Sequence, residues 1–240
     1  MQIAQELKEC YPNQPSMQVS HECIYIYIYL LPKGSHKKEL IRLLRQHKKK
    51  RKSRPQVSND RRGSIPIMIS IEERPAEVAH RSVPGHLESD LLMGKRHASA
   101  LSSVVERTTR TLVLVPLKAK DATSARKAFA RELKTLPKQM HISMTYDRGK
   151  EMAEHELFTQ STKMQIYFYH PQSPWERGTN ENTNMLIRLF FPKGTDFNKI
   201  TRKDIKHVQK LLNEQPRKAL GFATPKEAFN QLVGSVALKN

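Results

Sequence analysis

Cysteine is nearly absent from this chain, long apolar runs are missing, and acids are outnumbered. The 240 residues hold two cysteines, Cys10 and Cys23, too few for a disulfide framework or a four-cysteine zinc site and in keeping with a reducing compartment. The longest apolar stretch, near Ile24 to Leu31, is too short to span a membrane, and no cleavable signal pattern opens the sequence, so a cytoplasmic protein without a membrane partner is expected. Asp and Glu number 23 against 42 Lys and Arg, a formal charge of +19. That excess argues for a polyanionic partner, nucleic acid or an anionic membrane, rather than for any fold. The length allows one ordinary domain and a small module, with a core large enough to fold without staples.

The charge is concentrated. Between Lys37 and Arg54 stand ten Lys or Arg and a single acid, Glu39. A solvated helix running into an unstructured tail would explain such a run, and so would a phosphate-binding segment. The stretch before it reads two ways. Ile and Tyr alternate from Ile24 to Tyr29 as in a strand, whereas Ser20 as N-cap with Ile24, Ile28 and Leu31 at helical spacing signals a helix. Residues 53 to 81 carry Pro55, Gly63, Pro66 and Pro75 among scattered charges and read as a linker, in which Ser70 and Glu73 form a capping box for a short helix.

Beyond it the pattern becomes regular. Strands are expected over His86 to Met93, Ala100 to Arg107 and Thr111 to Pro116, with Thr108, Thr109 and Arg110 as a tight turn. A helix follows over Asp121 to Leu136, with Ala125, Ala128, Phe129 and Leu133 along one side, then a strand over Ile142 to Asp147 and a helix over Met152 to Ser161. A strand over Gln165 to Tyr169 and a helix over Glu176 to Phe191, its stripe Leu186, Leu189 and Phe190 turned to the sheet, complete the series. Two further helices, near Thr201 to Glu214 and Pro225 to Leu232, pack outside. The order β-β-β-α-β-α-β-α is that of an α/β ribonuclease H-like fold, a five-stranded mixed sheet flanked by helices. Strand parity puts His86, Glu88 and Asp90 on one face and Leu87, Leu91 and Met93 on the other.

Three carboxylates stand out on these elements. Asp90 lies in GHLESDLLMGK, Asp147 in HISMTYDRGKE, and Glu181 in SPWERGTNENTN, with 33 residues between Asp147 and Glu181. Two acids on neighbouring strands and a third on a sheet-facing helix can converge to hold two divalent cations, the arrangement that phosphodiester chemistry needs. Singly, each would read as a surface acid. Glu88 shares the face of Asp90 as a second acid or alternative ligand, and Glu176 is five residues from Glu181. His170 can orient a water or phosphate, or simply close a loop; Trp175 can stack on a base or pack in the core. Arg148, Lys150 and Arg177 flank the acids and suit phosphate contacts.

Four collinear blocks carry a resemblance to a known family. VPGHLESDLLMGK (83–95), MTYDRGKEMAEH (144–155), YHPQSPWERGTNENTNMLIRLFFPKGTDF (169–197) and LNEQPRKALGFATP (212–225) resemble the DDE transposases of bacterial insertion sequences, in the branch named after insertion sequence thirty. The resemblance implies a retroviral-integrase-type catalytic core over residues 81–235, a linker over 56–80, and a partial helix-turn-helix with a basic tail over 1–55. VSHECIYIYI then looks like the recognition helix, with Cys23 where Thr is usual. Residues 3 to 11 would be the preceding helix, and ELIRLLRQHKKKRK a basic helix striped by Leu40, Leu43 and Leu44.

The same resemblance places catalytic and metal-binding roles on Asp90, Asp147 and Glu181, with two magnesium ions for which manganese can substitute. It implies DNA contacts at Lys48, Lys49, Lys50, Arg51, Lys52, Lys150 and Arg177. The implied activity is metal-dependent cleavage at mobile-element ends and strand transfer into target DNA. The expected partners are double-stranded DNA, at element ends and target, and further copies of the chain on that DNA, in the bacterial cytoplasm at the nucleoid. Family members carry further N-terminal DNA-binding sequence, so the chain reads as N-terminally truncated. The alternatives are an idle DNA-binding or dimerising fragment that interferes with full-length transposase, and a nuclease without strand transfer. Leu87 replaces a usual Trp, Ser89 a usual Gly and Arg148 a frequent Asn; none of these is a metal ligand.

Overall fold

The computed structural model describes residues 2–32, 34–43, 65, 67–117, 121–170, 173, 176 and 178–237. The chain divides into two compact units, Met1–Asp60 with Pro216–Ala223, and Arg61–Gln215 with Thr224–Asn240.

In the first unit the alternating Ile and Tyr stretch is a helix. Helices α1 (Gln2–Cys10), α2 (His21–Leu30) and α3 (Ser35–Leu43) follow one another. Ser20 decides the ambiguity: its Oγ accepts the Cys23 N–H at 3.1 Å, satisfying a donor that a helix start leaves unpaired. At the other end Lys37 Nζ donates to the Tyr29 and Leu31 carbonyls at 2.6 and 2.7 Å, a cation on the negative end of the helix dipole. Ile28 is buried, while Tyr25, Ile26, Tyr27, Tyr29 and Leu30 are exposed. On α3, Leu40 and Ile41 are half-buried and Leu43 is exposed, so the stripe expected through Leu43 is not the packed face. Leu44 and the basic run from Lys48 to Lys52 lie outside the described residues.

The second unit is built on five strands, β1 (His86–Met93), β2 (Ala100–Glu106), β3 (Leu112–Leu117), β4 (Ser143–Tyr146) and β5 (Gln165–Phe168). They lie in the order β3-β2-β1-β4-β5; β2 is antiparallel to β3 and β1, while β1, β4 and β5 run parallel. The helices are α4 (Glu77–His80), α5 (Ala122–Leu133), α6 (His155–Thr162), α7 (Gly178–Phe190), α8 (Arg202–Asn213) and α9 (Pro225–Ala237). This is the five-stranded mixed sheet flanked by helices that the element order predicts.

Each face of the sheet has its own core. Leu87, Val104, Val113, Met144 and Ile166 pack with Phe129 and Leu133 of α5 and Phe158 of α6. Leu92, Leu101, Val105 and Leu114 pack on the opposite face with Leu186 and Ile187 of α7 and Ile205, Val208 and Leu212 of α8. Leu189 and Phe190 are exposed, so the apolar side of α7 is shifted by one position from the stripe expected.

Both sheet edges are closed, which removes the unpaired backbone groups that invite aggregation. On β3, Leu112 N–H donates to Asn213 Oδ1 at 2.8 Å, Asn213 Nδ2 donates to Leu112 O at 2.9 Å, and Leu114 N–H donates to Gln209 Oε1 at 2.9 Å. Glu132 of α5, fully buried, ties α8 to the same edge through Arg202 at 3.0 Å and Lys206 at 2.9 Å. Burial opposes its ionisation, but the Lys206 hydrogen bond and the nearby cations outweigh that and hold its carboxyl below the usual range.

On β5 the covering segment comes from the stretch expected to be a linker. Phe168 N–H donates to Ile69 O at 2.9 Å, Ser70 bridges Phe168 in parallel, and Ile65 and Val78 are buried. The Ser70–Glu73 capping box forms as expected. The described part of residues 56–80 is therefore a packed arm of the sheet, not a spacer.

Removing the edge cover should expose β3. Asn213→Ala deletes two hydrogen bonds, each worth about 0.5–1.5 kcal/mol, and should lower the urea midpoint with the m-value unchanged; a midpoint equal to the parent's would show that water replaces the asparagine without loss.

Candidate active site

Register brings the first two candidate carboxylates together. In the parallel pair β1 and β4, His86 stands opposite Ser143, Leu87 opposite Met144 and Glu88 opposite Thr145. Carried on by two residues, the same register sets Asp90 opposite Asp147, the first residue after β4. Neighbouring strands are about 4.8 Å apart and alternate residues share a face, so both side chains rise from the α7 face of the sheet. Both are half-buried.

Each acid is held. Asp90 Oδ2 accepts from Asn184 Nδ2 at 2.8 Å, and Asn184 Oδ1 in turn accepts from Ser103 Oγ at 2.6 Å, which fixes the amide orientation. Asp147 Oδ1 accepts the Gly149 N–H at 3.2 Å. Nearby Glu151 is buried, and its carboxylate fills the space that a Cβ on Gly149 would need. Burial pushes the Tyr146 hydroxyl well above its usual range, and the charges of Glu151, Asp147 and Asp90 push it further.

Helix α7 lies along β1. Asn184 reaches Asp90, and one turn later Arg188 Nη2 donates to Met93 O at 2.9 Å. Glu181, two turns before Arg188, shares its flank of the helix, and its side chain is exposed. Among the described residues no group of three His, Cys, Asp or Glu side chains stands close enough to hold one metal ion. The structure thus sets Asp90 and Asp147 side by side and puts Glu181 on the adjoining helix without joining it to them.

Known proteins place the chain in a family. No protein-family profile matches the chain. The transposase for insertion sequence element IS1086 of Cupriavidus metallidurans is 41% identical over 234 residues, covering 98% of this chain and 69% of the relative. The transposase InsI for insertion sequence element IS30A of Escherichia coli K12 is 39% identical, covering 96% and 60%. The transposase for insertion sequence element IS4351 of Bacteroides fragilis is 39% identical, covering 90% and 65%. The chain belongs to the IS30 family of transposases.

It spans between 60% and 69% of the length of these relatives. Among solved structures, a simian T-cell lymphotropic virus intasome in complex with PP2A regulatory subunit B56 gamma matches with a TM-score of 0.50 at 15% identity, over 61% of this chain and 55% of that one. At that identity the likeness speaks to the fold, which is the ribonuclease H-like, retroviral-integrase-type core.

Several neighbours of the site in this IS30-family chain have structural employment. Glu88 forms a buried ion pair with Arg107 through Oε1, which ties it into the core beside Asp90. Burial pushes that arginine down to about 10, and the neighbouring Arg74 and Arg81 push in the same direction. Glu176 is likewise occupied, receiving the His170 backbone N–H at 3.0 Å and lying 2.7 Å from its Nδ1, which makes His170 a tied loop residue rather than one poised over the acids. Arg148 Nε donates to Tyr169 O at 3.2 Å.

Lys150 opens a single 3-10 turn, and its side chain, with Trp175 and Arg177, lies outside the described residues. The departures at Leu87 and Ser89 fall on the far side of the sheet from the acids: Leu87 is in the α5 core, and Ser89 Oγ meets Ser102 Oγ at 2.8 Å. Asn184 and Glu151 are the side chains that sequence reasoning missed. Each lies in a block whose resemblance draws the eye to another residue.

The buried pair gives a test of Glu88 as structure. Glu88→Ala leaves Arg107 charged and unpaired in the core and should cost about 3–5 kcal/mol, whereas Glu88→Met with Arg107→Met should recover most of that. Chemical unfolding of both variants decides the point; a Glu88→Ala protein as stable as the parent would mean that the pair is open to water.

Proposed function

We propose that the chain is the catalytic core of a DNA transposase that cleaves DNA at the ends of a mobile element and joins the freed 3'-hydroxyl to target DNA. The observation that supports it most is the pairing of β1 with β4, which puts Asp90 and Asp147 on adjacent strands beneath the helix that carries Glu181. The donors are carboxylate oxygens, the set that hard divalent cations prefer. On this reading Asp90, Asp147 and Glu181 hold two magnesium ions, for which manganese can substitute. When bound, the ions would supply activation of the attacking oxygen and stabilisation of the leaving one.

The chain's own residues do the positioning. Asn184, locked by Ser103, sets the rotation of the Asp90 carboxylate, and the Gly149 N–H does the same for Asp147. Lys150 and Arg177 flank the acids in sequence and are proposed as phosphate contacts, and Lys48, Lys49, Lys50, Arg51 and Lys52 as a nonspecific backbone grip. The substrate is double-stranded DNA, and a strand-transfer reaction on two element ends calls for more than one copy of the chain. Among the described residues no helix is long and apolar enough to cross a membrane. The proposed place of action is the bacterial cytoplasm, at the nucleoid.

Asp147→Asn keeps the shape of the side chain but removes its charge. Magnesium-dependent cleavage and joining of element-end DNA should fall by several orders of magnitude, while DNA binding without metal persists; near-normal strand transfer by this variant would sink the assignment.

The basic run makes a separate expectation. Neutralising Lys48, Lys49, Lys50, Arg51 and Lys52 should flatten the dependence of log K on log salt by up to about 0.9 for each DNA phosphate that the run neutralises in the parent chain. An unchanged slope in a filter-binding titration would identify the run as merely solvated.

A further inference from the structure

Four arginines are anchored near the carboxylates in sequence. Glu88, Thr145 and Thr179 each lie two positions before Asp90, Asp147 and Glu181, and each anchors a guanidinium. Arg107 pairs with Glu88, Arg74 Nη1 donates to Thr145 Oγ1 at 3.1 Å, and Arg81 Nη2 and Arg110 Nη1 both donate to Thr179 Oγ1 at 3.0 Å. Two residues of strand rise by about 7 Å, so Arg107 and Arg74 are anchored one step below Asp90 and Asp147, whereas Thr179, buried, and Glu181, exposed, stand on opposite sides of α7.

Two of the four differ from the rest. Arg107 is buried and spent on Glu88. Arg81 and Arg110, half-buried like Arg74, share one hydroxyl, that of Thr179, and neither forms an ion pair among the described residues. Glu106, whose charge draws on Arg110, has its oxygens committed to the Gly85 and Thr109 N–H groups and the Thr109 hydroxyl.

The backbone is strained to bring these two together. Arg81 and Arg110 adopt φ of 55° and 60°, the left-handed region that side chains other than glycine disfavour. The turn between β2 and β3 holds the strain in place: Thr108 Oγ1 donates to the Arg81 and Val83 carbonyls at 3.1 and 3.2 Å. Burial and the charge of Arg81 together push Arg110 down to about 10, so the two cations oppose one another. Such strain and repulsion persist where the surroundings over-determine them, commonly at ligand clamps. An anion between the two guanidiniums would turn the repulsion into attraction.

We propose that Arg81 and Arg110, side by side on Thr179 in the first turn of α7, form a two-arginine clamp for a backbone phosphate of DNA. A guanidinium carries five N–H donors in a planar fork suited to phosphate oxygens. Each of these arginines places one donor on Thr179, which aims the forks without consuming them. The clamp lies at the N-terminal turn of α7, the helix that carries Glu181. The inference rests on the reading of DNA as substrate but not on the chemistry of the acids.

Binding in the presence of EDTA tests the clamp apart from catalysis. The Arg81→Gln, Arg110→Gln double variant of the full chain should lose about 0.9 from the slope of log K against log salt for a duplex oligonucleotide, one phosphate contact. An unchanged slope in a folded variant overturns the proposal. A second measurement needs no variant: modification of the parent chain by phenylglyoxal, read by mass spectrometry, should be suppressed at Arg81 and Arg110 by the duplex. Equal modification with and without duplex overturns the clamp, and equal protection by inorganic phosphate at the same ionic strength overturns DNA as its occupant. If the double variant fails to fold, the protection experiment decides alone. Failure of Asp147→Asn to abolish strand transfer would remove the catalytic assignment and leave these outcomes untouched.

Discussion

The parallel pairing of β1 with β4 is the constraint on which the remainder of the second unit depends. Asp90 and Asp147 are 57 positions apart in sequence, and only a fixed register can make them neighbours. Because side chains alternate with period 2, a slip of one residue would send one of them to the opposite core. The register is locked by what lies below the acids. His86 Nδ1 meets Ser143 Oγ at 2.7 Å across the two strands, and Leu87 and Met144, both buried, pack on the α5 side. A parallel pair also needs a crossover, and here β2, β3 and α5 lie in the intervening chain, so closing the first core and aligning the two acids are one event.

Helix α7 lies against that strand alignment. Leu186 and Ile187 bury its apolar side, and Asn184 and Arg188 fix its position along β1 by contacts to Asp90 and the Met93 carbonyl. The placement of Glu181 is then set by helical spacing alone. Position 181 lies on the Arg188 flank and at the solvent edge, where an acid stays hydrated and can move. Asp90 and Asp147 are half-buried and hydrogen-bonded, whereas Glu181 is exposed.

Much of this was legible in the sequence because it rests on local rules. The bounds of β1, the inward and outward parity of His86, Glu88 and Asp90, and the order of strands and helices follow from alternation and spacing. The helix α2 was ambiguous, since an Ile and Tyr alternation satisfies a strand as well as a helix of low amphipathicity; the Ser20 cap, one residue, settles it. What was not legible is long-range. Proline and scattered charge over residues 56–80 look like a spacer, yet an arm that adds to a sheet edge through backbone bonds needs no special side chains, so composition cannot reveal it. Nothing local in the sequence ties Glu88 to Arg107, 19 residues on. Asn184 is conspicuous only once α7 is laid on β1.

The arrangement of charge resolves an apparent conflict in composition. A chain carrying +19 has no general tendency to draw divalent cations to one place, and three acids converging there would repel one another. Arginines anchored on Glu88, Thr145 and Thr179 address the second difficulty: their attraction favours ionised carboxylates before any ion binds, softened but not abolished by an effective dielectric of about 20. Arg107 alone could not do this, because Glu88 neutralises it, so the uncompensated part of the field comes from Arg74, Arg81 and Arg110.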